Sequence, residues 1–576
     1  MSRAWALALA ALLAGCGAPA GGLRATWRGT FPVPWRFAAP PAPVAGRYAM
    51  VVSDEPIASA VGDTILLKGG NAIDAAVATA FALEVVLPQA GNIGGGGFLV
   101  YRAADGRPYT LDFRETAPAA STPTMYLDSA GHEIHSSITG ALSAGVPGSV
   151  AGLWEMHRRF GRLPWRELIA PAIALARRGV VLDAPRAAAF DDSINRARLG
   201  RFPSSVATYF RNGRPPVEGD TLVQPDLART LELIADSGAD AFYRGSIARA
   251  IVAEMRRSGG IITAADLAGY RAKWRAPLET TYRGYHIIGM PPPSSGGVTV
   301  AEILNILEAW GPLPRFGSAM LLHVELEAMR RAFEDRNAYL GDPDFVTMPL
   351  ARLTGKAYAE SLSRTIDPNR ASPSVAGPAM PEGHHTTQLS VVDPEGNAVS
   401  ITTTLNDDFG SAVTVAGAGF LLNDEMDDFT SRPGVPNLYG LVQGEANAIA
   451  PGKRMLSAMA PTIVLDPRGR PVLVTGSPGG PRIITAVEQV ISNLIDQRMT
   501  LAQAVSAPRI HDQALPDSVF WERGGVTPDQ RRVLEAMGYA FRAHPIVIGD
   551  VNSVLVTPTG LEGLADPRRG GAAAGW

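Results

Sequence analysis

The sequence is poor in cysteine, lysine and net charge, and each scarcity excludes a class of protein. A single cysteine among 576 residues leaves no partner for a disulfide. Four lysines and a net charge of −3 give no electrostatic basis for binding nucleic acid. The nine histidines are scattered and form no metal-binding cluster with that one cysteine. We therefore expect an ordinary globular protein with no metal and no other cofactor.

Several familiar catalytic patterns are also missing. There is no G-x-S-x-G, which argues against a nucleophile elbow, and there is no S-x-x-K. The run "GNIGGGGF" lacks the G-K-[ST] ending of a phosphate-binding loop, so its glycines favour close backbone packing instead. If the protein is an enzyme, its nucleophile must be sought elsewhere.

The single cysteine lies in an export signal. Arg3 and a short apolar run precede Leu13-Ala14-Gly15-Cys16, which resembles a bacterial lipobox. The alternative is a conventional signal peptide cut after Ala18-Pro19-Ala20. We assign the export signal to residues 1–20, and both readings predict export. In the lipobox reading the lipidated Cys16 becomes the new N-terminus of a bacterial lipoprotein and is its only membrane attachment; in the other reading the protein is released into the periplasm. Residues 21–45 are rich in proline, alanine and aromatics, and we predict a tether.

The remaining chain predicts a layered α/β sandwich. Apolar positions recur at helical spacing in "NAIDAAVATAFALEVVLP", where Asn71 is the expected cap, and in "GSVAGLWEMHRRFG", "WRELIAPAIALARRG", "AEILNILEAWG" and "RIITAVEQVISNLIDQ". Hairpins are predicted for "LVYRAADGRPYTLDFRE", "LSVVDPEGNAVSIT", "TIVLDPRGRPVLVT" and "SVLVTPTGLEGLAD". Strands and helices in both halves favour sheets covered by helices.

One stretch suggests a nucleophile. In "PEGHHTTQLSVVD" a soft segment gives way abruptly to a strand that starts on Thr386. A threonine hydroxyl needs a nearby base, and cutting the chain before Thr386 would supply one as the new α-amine, whose pKa is about 7.7–8.0. The ordinary alternative is that two threonines simply begin a strand, because threonine is a good strand former.

Motifs in both halves then identify a family. They are "KGGNAIDAAVATAFAL", "GNIGGGGF", "LDFRETAP", "GVPGSVAGLW", "MPPPSSGG", "EDRNAYLGDPDF", "GFLLNDEMDDF", "PGVPNLYGLV", "PGKRMLSAMAPTIV" and "TGSPGGPRIITAV". From about residue 45 to 570 the chain resembles the γ-glutamyltransferases, which are N-terminal-nucleophile enzymes. The resemblance implies a four-layer αββα sandwich and a precursor that cuts itself between His385 and Thr386. It also implies that a large subunit, residues 46–385, and a small subunit, residues 386–576, stay associated.

The resemblance also implies roles for individual residues. Thr386 matches the nucleophile, Thr404 a threonine that assists it, and Gly479 and Gly480 the backbone oxyanion hole. The remaining matches are Arg114 and Ser457 to the α-carboxylate of a γ-glutamyl group, Asn406, Glu425 and Asp428 to its ammonium, and Tyr439 to the tip of a lid loop. The expected substrates are small γ-glutamyl compounds such as glutathione.

The sequence departs from the family pattern at three places. Ala458 stands where a second serine is usual, so one hydrogen bond to the carboxylate is missing. Gln388 stands where histidine is common, and Asp407-Asp408 replace smaller polar residues, which adds negative charge near an anionic donor.

Three hypotheses follow from these residues. The leading one is an exported γ-glutamyl transferase and hydrolase. The second is an acylase of the same fold that cuts another amide, of cephalosporin or glutaryl type. The third is an unprocessed binding lipoprotein without catalysis.

Overall fold

The structure is a computed structural model, and it describes residues 23, 25–32, 34–132, 134, 136–373 and 386–576. The predictions for the signal peptide, for Cys16 and for His385 lie outside the described residues. No helix among the described residues is both long and apolar enough to cross a bilayer.

Strands and helices are interspersed along the chain. The strands are β1 Val44–Gly46, β2 Met50–Ser53, β3 Gly96–Arg102, β4 Pro108–Asp112, β5 Val180–Val181, β6 Thr221–Leu222, β7 Lys273–Arg275, β8 Leu278–Tyr282, β9 Tyr285–Gly289, β10 Thr386–Val392, β11 Ala398–Thr404, β12 Thr462–Leu465, β13 Pro471–Thr475, β14 Ile510–His511, β15 Phe520–Trp521, β16 Ser553–Thr557, β17 Gly560–Leu564 and β18 Ala572–Gly575. The helices are α1 Pro56–Leu67, α2 Ala72–Val86, α3 Ser149–Phe160, α4 Trp165–Arg178, α5 Ala184–Asp191, α6 Ser193–Leu199, α7 Pro203–Tyr209, α8 Pro225–Ser237, α9 Ala239–Tyr243, α10 Ser246–Ser258, α11 Ala264–Gly269, α12 Gly296–Trp310, α13 Ala319–Tyr339, α14 Leu350–Leu353, α15 Lys356–Ser363, α16 Arg482–Ile495, α17 Leu501–Ser506 and α18 Pro528–Met537.

Two antiparallel sheets of seven strands form the centre of the protein. The first sheet has the order β18-β2-β10-β11-β3-β4-β7, and the second has the order β1-β17-β16-β13-β12-β9-β8. The four predicted hairpins are present as β3–β4, β10–β11, β12–β13 and β16–β17. The predicted helices are also present, and the amide side chain of Asn71 caps α2 in a reciprocal capping box with Asp74.

Alternate residues of the first sheet face different layers, as the two-residue period of a strand requires. Val391 and Val399 point to a helical layer that includes α2, whereas Val392 and Ala398 point to the second sheet. Helices α12, α13 and α16 cover the far side of the second sheet within the same hydrophobic cluster. The order helix, sheet, sheet, helix confirms the predicted αββα sandwich.

Strand β10 lies inside the first sheet and is buried along its whole length. It pairs with β11 from Thr386 opposite Thr404 to Val392 opposite Ala398. On its other edge it pairs with β2 only from Leu389 onward. The first three residues of β10 therefore extend past β2, and the main-chain N–H of Gln388 is satisfied by a carboxylate oxygen of Asp54 at 3.0 Å.

The segment predicted as a tether differs from that prediction in its first part. Trp35 is 3% exposed, and its indole Nε1 donates a hydrogen bond to the main-chain oxygen of Ser506 at 2.8 Å. The main-chain N–H groups of Thr26 and Trp27 donate to the oxygen of Arg498 at 2.8 and 3.0 Å. Aromatic side chains bury enough apolar area to hold such a segment against the core. This stretch is part of the folded body, and it contacts the part of the chain predicted as the small subunit.

Candidate active site

The hairpin β10–β11 places two threonines side by side at one end of the first sheet. Thr386 and Thr404 are paired directly across the two strands, and each is 4% exposed. Directly opposite residues in an antiparallel pair have Cβ atoms about 4.5–5.5 Å apart. The hydroxyl oxygen of Thr404 also accepts a hydrogen bond from the main-chain N–H of Asn406 at 2.8 Å, which fixes the turn that follows β11.

The two glycines predicted as an oxyanion hole lie just before helix α16. Gly479 and Gly480 have φ values of +132° and +58°, which an L side chain rarely adopts. A Cβ on Gly480 would lie 2.9 Å from the ring of Tyr439, so only glycine admits the close approach of this aromatic side chain. The positive end of the α16 dipole faces the same region.

The side chain of Tyr439 packs over Gly480. Its hydroxyl donates to Asn406, with 2.8 Å to the side-chain Oδ1 and 2.9 Å to the main-chain oxygen. Its own main-chain oxygen accepts a hydrogen bond from the amide Nε2 of Gln513 at 3.1 Å. The loop predicted as a lid is therefore held down at its tip by hydrogen bonds on both sides.

Arg114 is the centre of a buried ion cluster. It follows β4 by two residues, its side chain is 1% exposed, and one guanidinium nitrogen lies 2.5 Å from a carboxylate oxygen of Glu425. The other terminal guanidinium nitrogen, Nη2, is hydrogen-bonded to Asp428. A carboxylate oxygen of Glu115 lies 3.6 Å from Nη1, the nitrogen that contacts Glu425. Glu425 and Asp428 belong to one turn of 3₁₀ helix, which presents both carboxyl groups to the same guanidinium.

Three carboxyl groups sharing one guanidinium cannot all be ionised at little cost. Burial raises the pKa of Glu115 to about 8, although Arg114 opposes this shift. Burial likewise raises the pKa of Glu425 and of Asp428 above their ordinary values, again against the pull of Arg114. Burial alone would lower the pKa of Arg114, but Glu425, Asp428 and Glu115 raise it above its ordinary value. The cluster therefore combines a guanidinium whose pKa is raised by its acidic neighbours with carboxyl groups whose pKa values are raised by burial.

The sequence-predicted residues converge on one narrow cavity, which leaves about 20 Å³ for the centre of a water molecule. Its walls include nine of them, namely Thr386, Thr404, Gly480, Arg114, Asn406, Glu425, Asp428, Ser457 and Tyr439. Gly479 is not among the wall residues, but it directly precedes Gly480, which is. Ala458 also lines the cavity, beside Ser457, and presents a methyl group where a hydroxyl group was expected.

The other two departures from the family pattern, at Gln388 and at Asp407-Asp408, lie outside the wall of the cavity. Gln388 is fully buried, and its amide bonds Ser400 at 2.9 Å and Thr402 at 2.6 Å, which are both residues of the neighbouring strand β11. The carboxylate of Asp407 forms an ion pair with Arg198, and an oxygen of Asp408 accepts a hydrogen bond from Asn195 at 3.4 Å. The negative charge expected from Asp407 is thus balanced by a neighbouring guanidinium.

Two charged residues at or near the cavity were not predicted. Glu115 stands beside Arg114 in "LDFRETAP", and Arg336 stands in "EDRNAYLGDPDF" and lines the cavity. Both residues belong to motifs that indicated the family, but the sequence around them gives no sign that their side chains reach the site. No group of three or more histidine, cysteine, aspartate or glutamate side chains among the described residues is arranged to hold a metal ion.

Comparisons with known proteins agree with this geometry. The sequence matches the family model described as gamma-glutamyltranspeptidase over residues 58–576. It is 50% identical over 532 residues to a protein of Pseudomonas sp. (strain A14) named glutathione hydrolase proenzyme, with 91% of this chain and 92% of that one covered.

Two solved structures are also similar. Cephalosporin acylase from Bacillus halodurans superposes with a TM-score of 0.81 at 28% identity, covering 92% of this chain and 96% of that one. The gamma-glutamyltranspeptidase of Helicobacter pylori superposes with a TM-score of 0.55 at 45% identity, covering 57% of this chain and 94% of that one.

An αββα sandwich with these relatives defines an enzyme of the N-terminal-nucleophile hydrolase class. Within that class, the chain belongs to the gamma-glutamyltranspeptidase family.

The raised pKa of Glu115 predicts a pH-dependent effect on stability. Between its ordinary value of 4.5 and about 8, the folded protein holds a proton that the unfolded chain releases. Stability contributed by this group is therefore lost as the pH rises through that window. The Glu115→Gln variant lacks this loss, so its Tm relative to the parent should rise from about pH 5 to about pH 8 and then level off. Scanning calorimetry of both proteins over this range measures the difference; a constant difference would mean that Glu115 is already ionised at the acidic end.

Proposed function

We propose that the chain is an exported, self-processing γ-glutamyl transferase and hydrolase. It cleaves the γ-glutamyl amide bond of glutathione and related compounds, and it passes the γ-glutamyl group to water, amino acids or peptides. The observation that carries the proposal is one cavity whose wall combines a strand-initial threonine with a buried guanidinium and two carboxyl groups. The name of the Pseudomonas relative supports the same substrate class.

Self-processing begins with Thr386. Its hydroxyl oxygen attacks the carbonyl carbon of residue 385, the C–N bond breaks, and an ester links residue 385 to the threonine side chain. Water then hydrolyses this ester and leaves Thr386 with a free α-amine. The ladder between β10 and β11 supports this step, because the pairing of Thr386 with Thr404 holds the backbone of the threonine both before and after the cut.

Turnover uses the same hydroxyl group. The α-amine of Thr386 takes the hydroxyl proton while the oxygen attacks the γ-carbonyl carbon of the donor. The negative charge that develops on the carbonyl oxygen is stabilised by the N–H groups of Gly479 and Gly480 and by the start of α16. The amide C–N bond then breaks, the leaving amine takes the proton, and a γ-glutamyl ester remains. Water or an acceptor amine attacks that ester and regenerates Thr386.

The ion cluster selects the donor. A γ-glutamyl group carries an α-carboxylate and an α-ammonium on one carbon. Arg114 is paired with Glu425 and Asp428 in the structure, so a donor with both charges can exchange partners with this cluster: its carboxylate pairs with Arg114 and Ser457, and its ammonium pairs with Asp428, Glu425 and Asn406. After this exchange each buried charged group again has an oppositely charged partner. A guanidinium binds a carboxylate through two parallel hydrogen bonds, which also fixes the orientation of the donor.

The acylase of similar structure supports a second candidate, cleavage of a glutaryl or cephalosporin-type amide. A glutaryl group brings a carboxylate without an ammonium. It would occupy Arg114 and leave Asp428 and Glu425 buried without a new partner, which is costly. Retention of both acids favours the γ-glutamyl donor.

Export rests on residues outside the described part of the chain. Cys16 follows a short apolar run and is the proposed site of lipid attachment, so the mature enzyme would face the periplasm or be anchored to a membrane by lipid.

Self-processing is tested by the intact mass of the purified protein. We expect two polypeptides that meet between residues 385 and 386, and one uncut chain in the Thr386→Ala variant, which has no nucleophile. Thr386→Ser keeps a hydroxyl group and serves as the matched control, which should still be cut. A wild-type chain that stays whole would remove the mechanism and favour the binding-protein alternative.

The ammonium assignment is tested by Asp428→Asn. The variant should lose kcat/KM for γ-glutamyl-p-nitroanilide by about 10- to 100-fold relative to glutaryl-p-nitroanilide, because a charge-assisted hydrogen bond contributes about 1.5–3 kcal/mol. Glutaryl-p-nitroanilide lacks the amino group and is the control donor. Equal losses for both donors would remove Asp428 from the ammonium site, and faster cleavage of the glutaryl donor by the parent enzyme would favour the acylase.

Lipid attachment is tested by cell fractionation of the parent protein and of Cys16→Ser. We expect the parent in the membrane fraction and the variant in the soluble exported fraction. Recovery of the parent in the soluble fraction, with a mature N-terminus after Ala20, would establish conventional cleavage instead.

A further inference from the structure

Arg336 is a second guanidinium in the wall of the cavity. It lies in the last turn of α13, a helix of 21 residues that covers the second sheet, and its residue is 1% exposed. It shares the cavity wall with Asp428, Ser457 and Ala458. A helix from the outer layer thus delivers a positive charge to the cavity.

The hydrogen bonds of Arg336 all go to neutral groups. Its Nε donates to the hydroxyl oxygen of Ser295 at 2.9 Å, and its Nη1 donates to Oδ1 of Asn337 at 2.9 Å and to Oε1 of Gln443 at 3.2 Å. Within the described residues, no carboxylate lies within 4.0 Å of its guanidinium nitrogens. This charge is buried and hydrogen-bonded, but it has no ionic partner in contact.

Other deeply buried arginines in this protein are paired. Arg114 contacts Glu425 and Asp428, Arg330 lies 2.9 Å from Asp512, and Arg509 lies 2.8 Å from Asp566. An isolated buried charge is costly, so proteins pair such groups or use them to bind a ligand. The contrast indicates that the partner of Arg336 is not supplied by the described part of the protein.

Arg336 still carries its charge at neutral pH. Burial lowers its pKa to about 10, and the negative charge of Asp428 partly offsets this shift. Its guanidinium therefore adds a fixed positive potential to the cavity. Asp428 is engaged with Arg114, so the unpaired positive charge can be satisfied by a ligand.

Arg336 also connects the two sides of the predicted donor site. The N–H and the hydroxyl of Ser295 both donate to the main-chain oxygen of Ser457, at 2.7 and 2.6 Å. On the other side, the amide of Gln443 donates to the main-chain oxygen of Asp428 at 3.3 Å. The guanidinium therefore lies between the segments assigned to the carboxylate and to the ammonium of the donor.

We propose that Arg336 binds the α-carboxylate of the γ-glutamyl donor together with Arg114 and Ser457, and that it supplies the hydrogen-bond donor that Ala458 lacks. This inference rests on the proposed function and adds a binding residue to it. Arg114 is then shared between the donor carboxylate and the acids, while Arg336 is free to pair with the carboxylate alone.

The test compares two donors on the parent enzyme and on Arg336→Met, which is similar in length and carries no charge. The donors are γ-glutamyl-p-nitroanilide and the same compound with its α-carboxylate converted to a carboxamide. Direct contact predicts that Arg336→Met raises KM by about 10- to 100-fold for the acid, which is about 1.4 kcal/mol per tenfold, and changes KM for the amide much less. The pair of donors isolates the carboxylate, because both keep the ammonium and the scissile bond.

A purely structural role gives a different result. Loss of Arg336 would then disturb Ser457 and Asp428 for both donors, KM would rise by a similar factor for each, and the proposal would be overturned. Arg331→Gln, on the same helix but paired with Glu327 away from the cavity, is the matched control for helix damage. It should leave the ratio of the two KM values unchanged.

The proposal remains testable if Arg336→Met does not fold. Arg336→Lys keeps the charge but loses the planar fork. It should bind L-glutamate more weakly than the parent, with a smaller effect on 4-aminobutanoate, which has no α-carboxylate; equal effects would overturn the assignment. Competitive inhibition constants measure this. Absence of γ-glutamyl-p-nitroanilide cleavage by the parent would instead contradict the proposed function, and the two failures are distinguishable.

Discussion

The position of β10 within the first sheet is the constraint on which the site depends. This strand is paired with β11 along its full length and with β2 from Leu389 onward, so its register is fixed on both edges. A slip of one residue would reverse every side chain between the helical layer and the second sheet. Because β2 ends at Ser53, the edge of β10 at Thr386 is free of a second strand, and the cavity occupies that end. A cut before Thr386 would therefore leave the nucleophile held by the same ladder.

The second constraint is electrostatic. Arg114, Glu425 and Asp428 form contacts that satisfy one another in the absence of donor, and burial keeps water from screening them. Burial of the acids without Arg114 would be costly, and so would burial of Arg114 without the acids. A ligand enters such a site favourably only if it offers both charges in exchange. Under the proposed function, the cluster thus links the stability of the closed cavity to the selection of a zwitterionic donor.

Much of the fold could be predicted from local sequence, and less of the site. The hairpin on Asp105-Gly106, the cap at Asn71 and the strand start at Thr386 depend on neighbouring residues, and the structure contains all three. Ion pairs do not follow from local pattern: Arg114 and Asp428 are 314 positions apart. The family motifs indicated that both residues bind the donor, but they did not indicate that the two side chains pair with each other. Packing of Trp35 on Ser506 was missed for the same reason, since composition alone suggested a tether.

Under the proposed function, the charges of the cavity wall favour a γ-glutamyl donor over a glutaryl one. The wall carries two cations, Arg114 and Arg336, and two acids, Glu425 and Asp428, so it is close to neutral when both acids are ionised. A γ-glutamyl group adds one charge of each sign, both borne by groups on one carbon, and preserves that balance. A glutaryl group adds only a negative charge, and the pKa of both acids, already raised by burial, would have to rise further as they took up protons to restore neutrality. Selection between the two donors is in this account a matter of charge balance in a buried site more than of shape, since the two acyl chains differ only by an amino group.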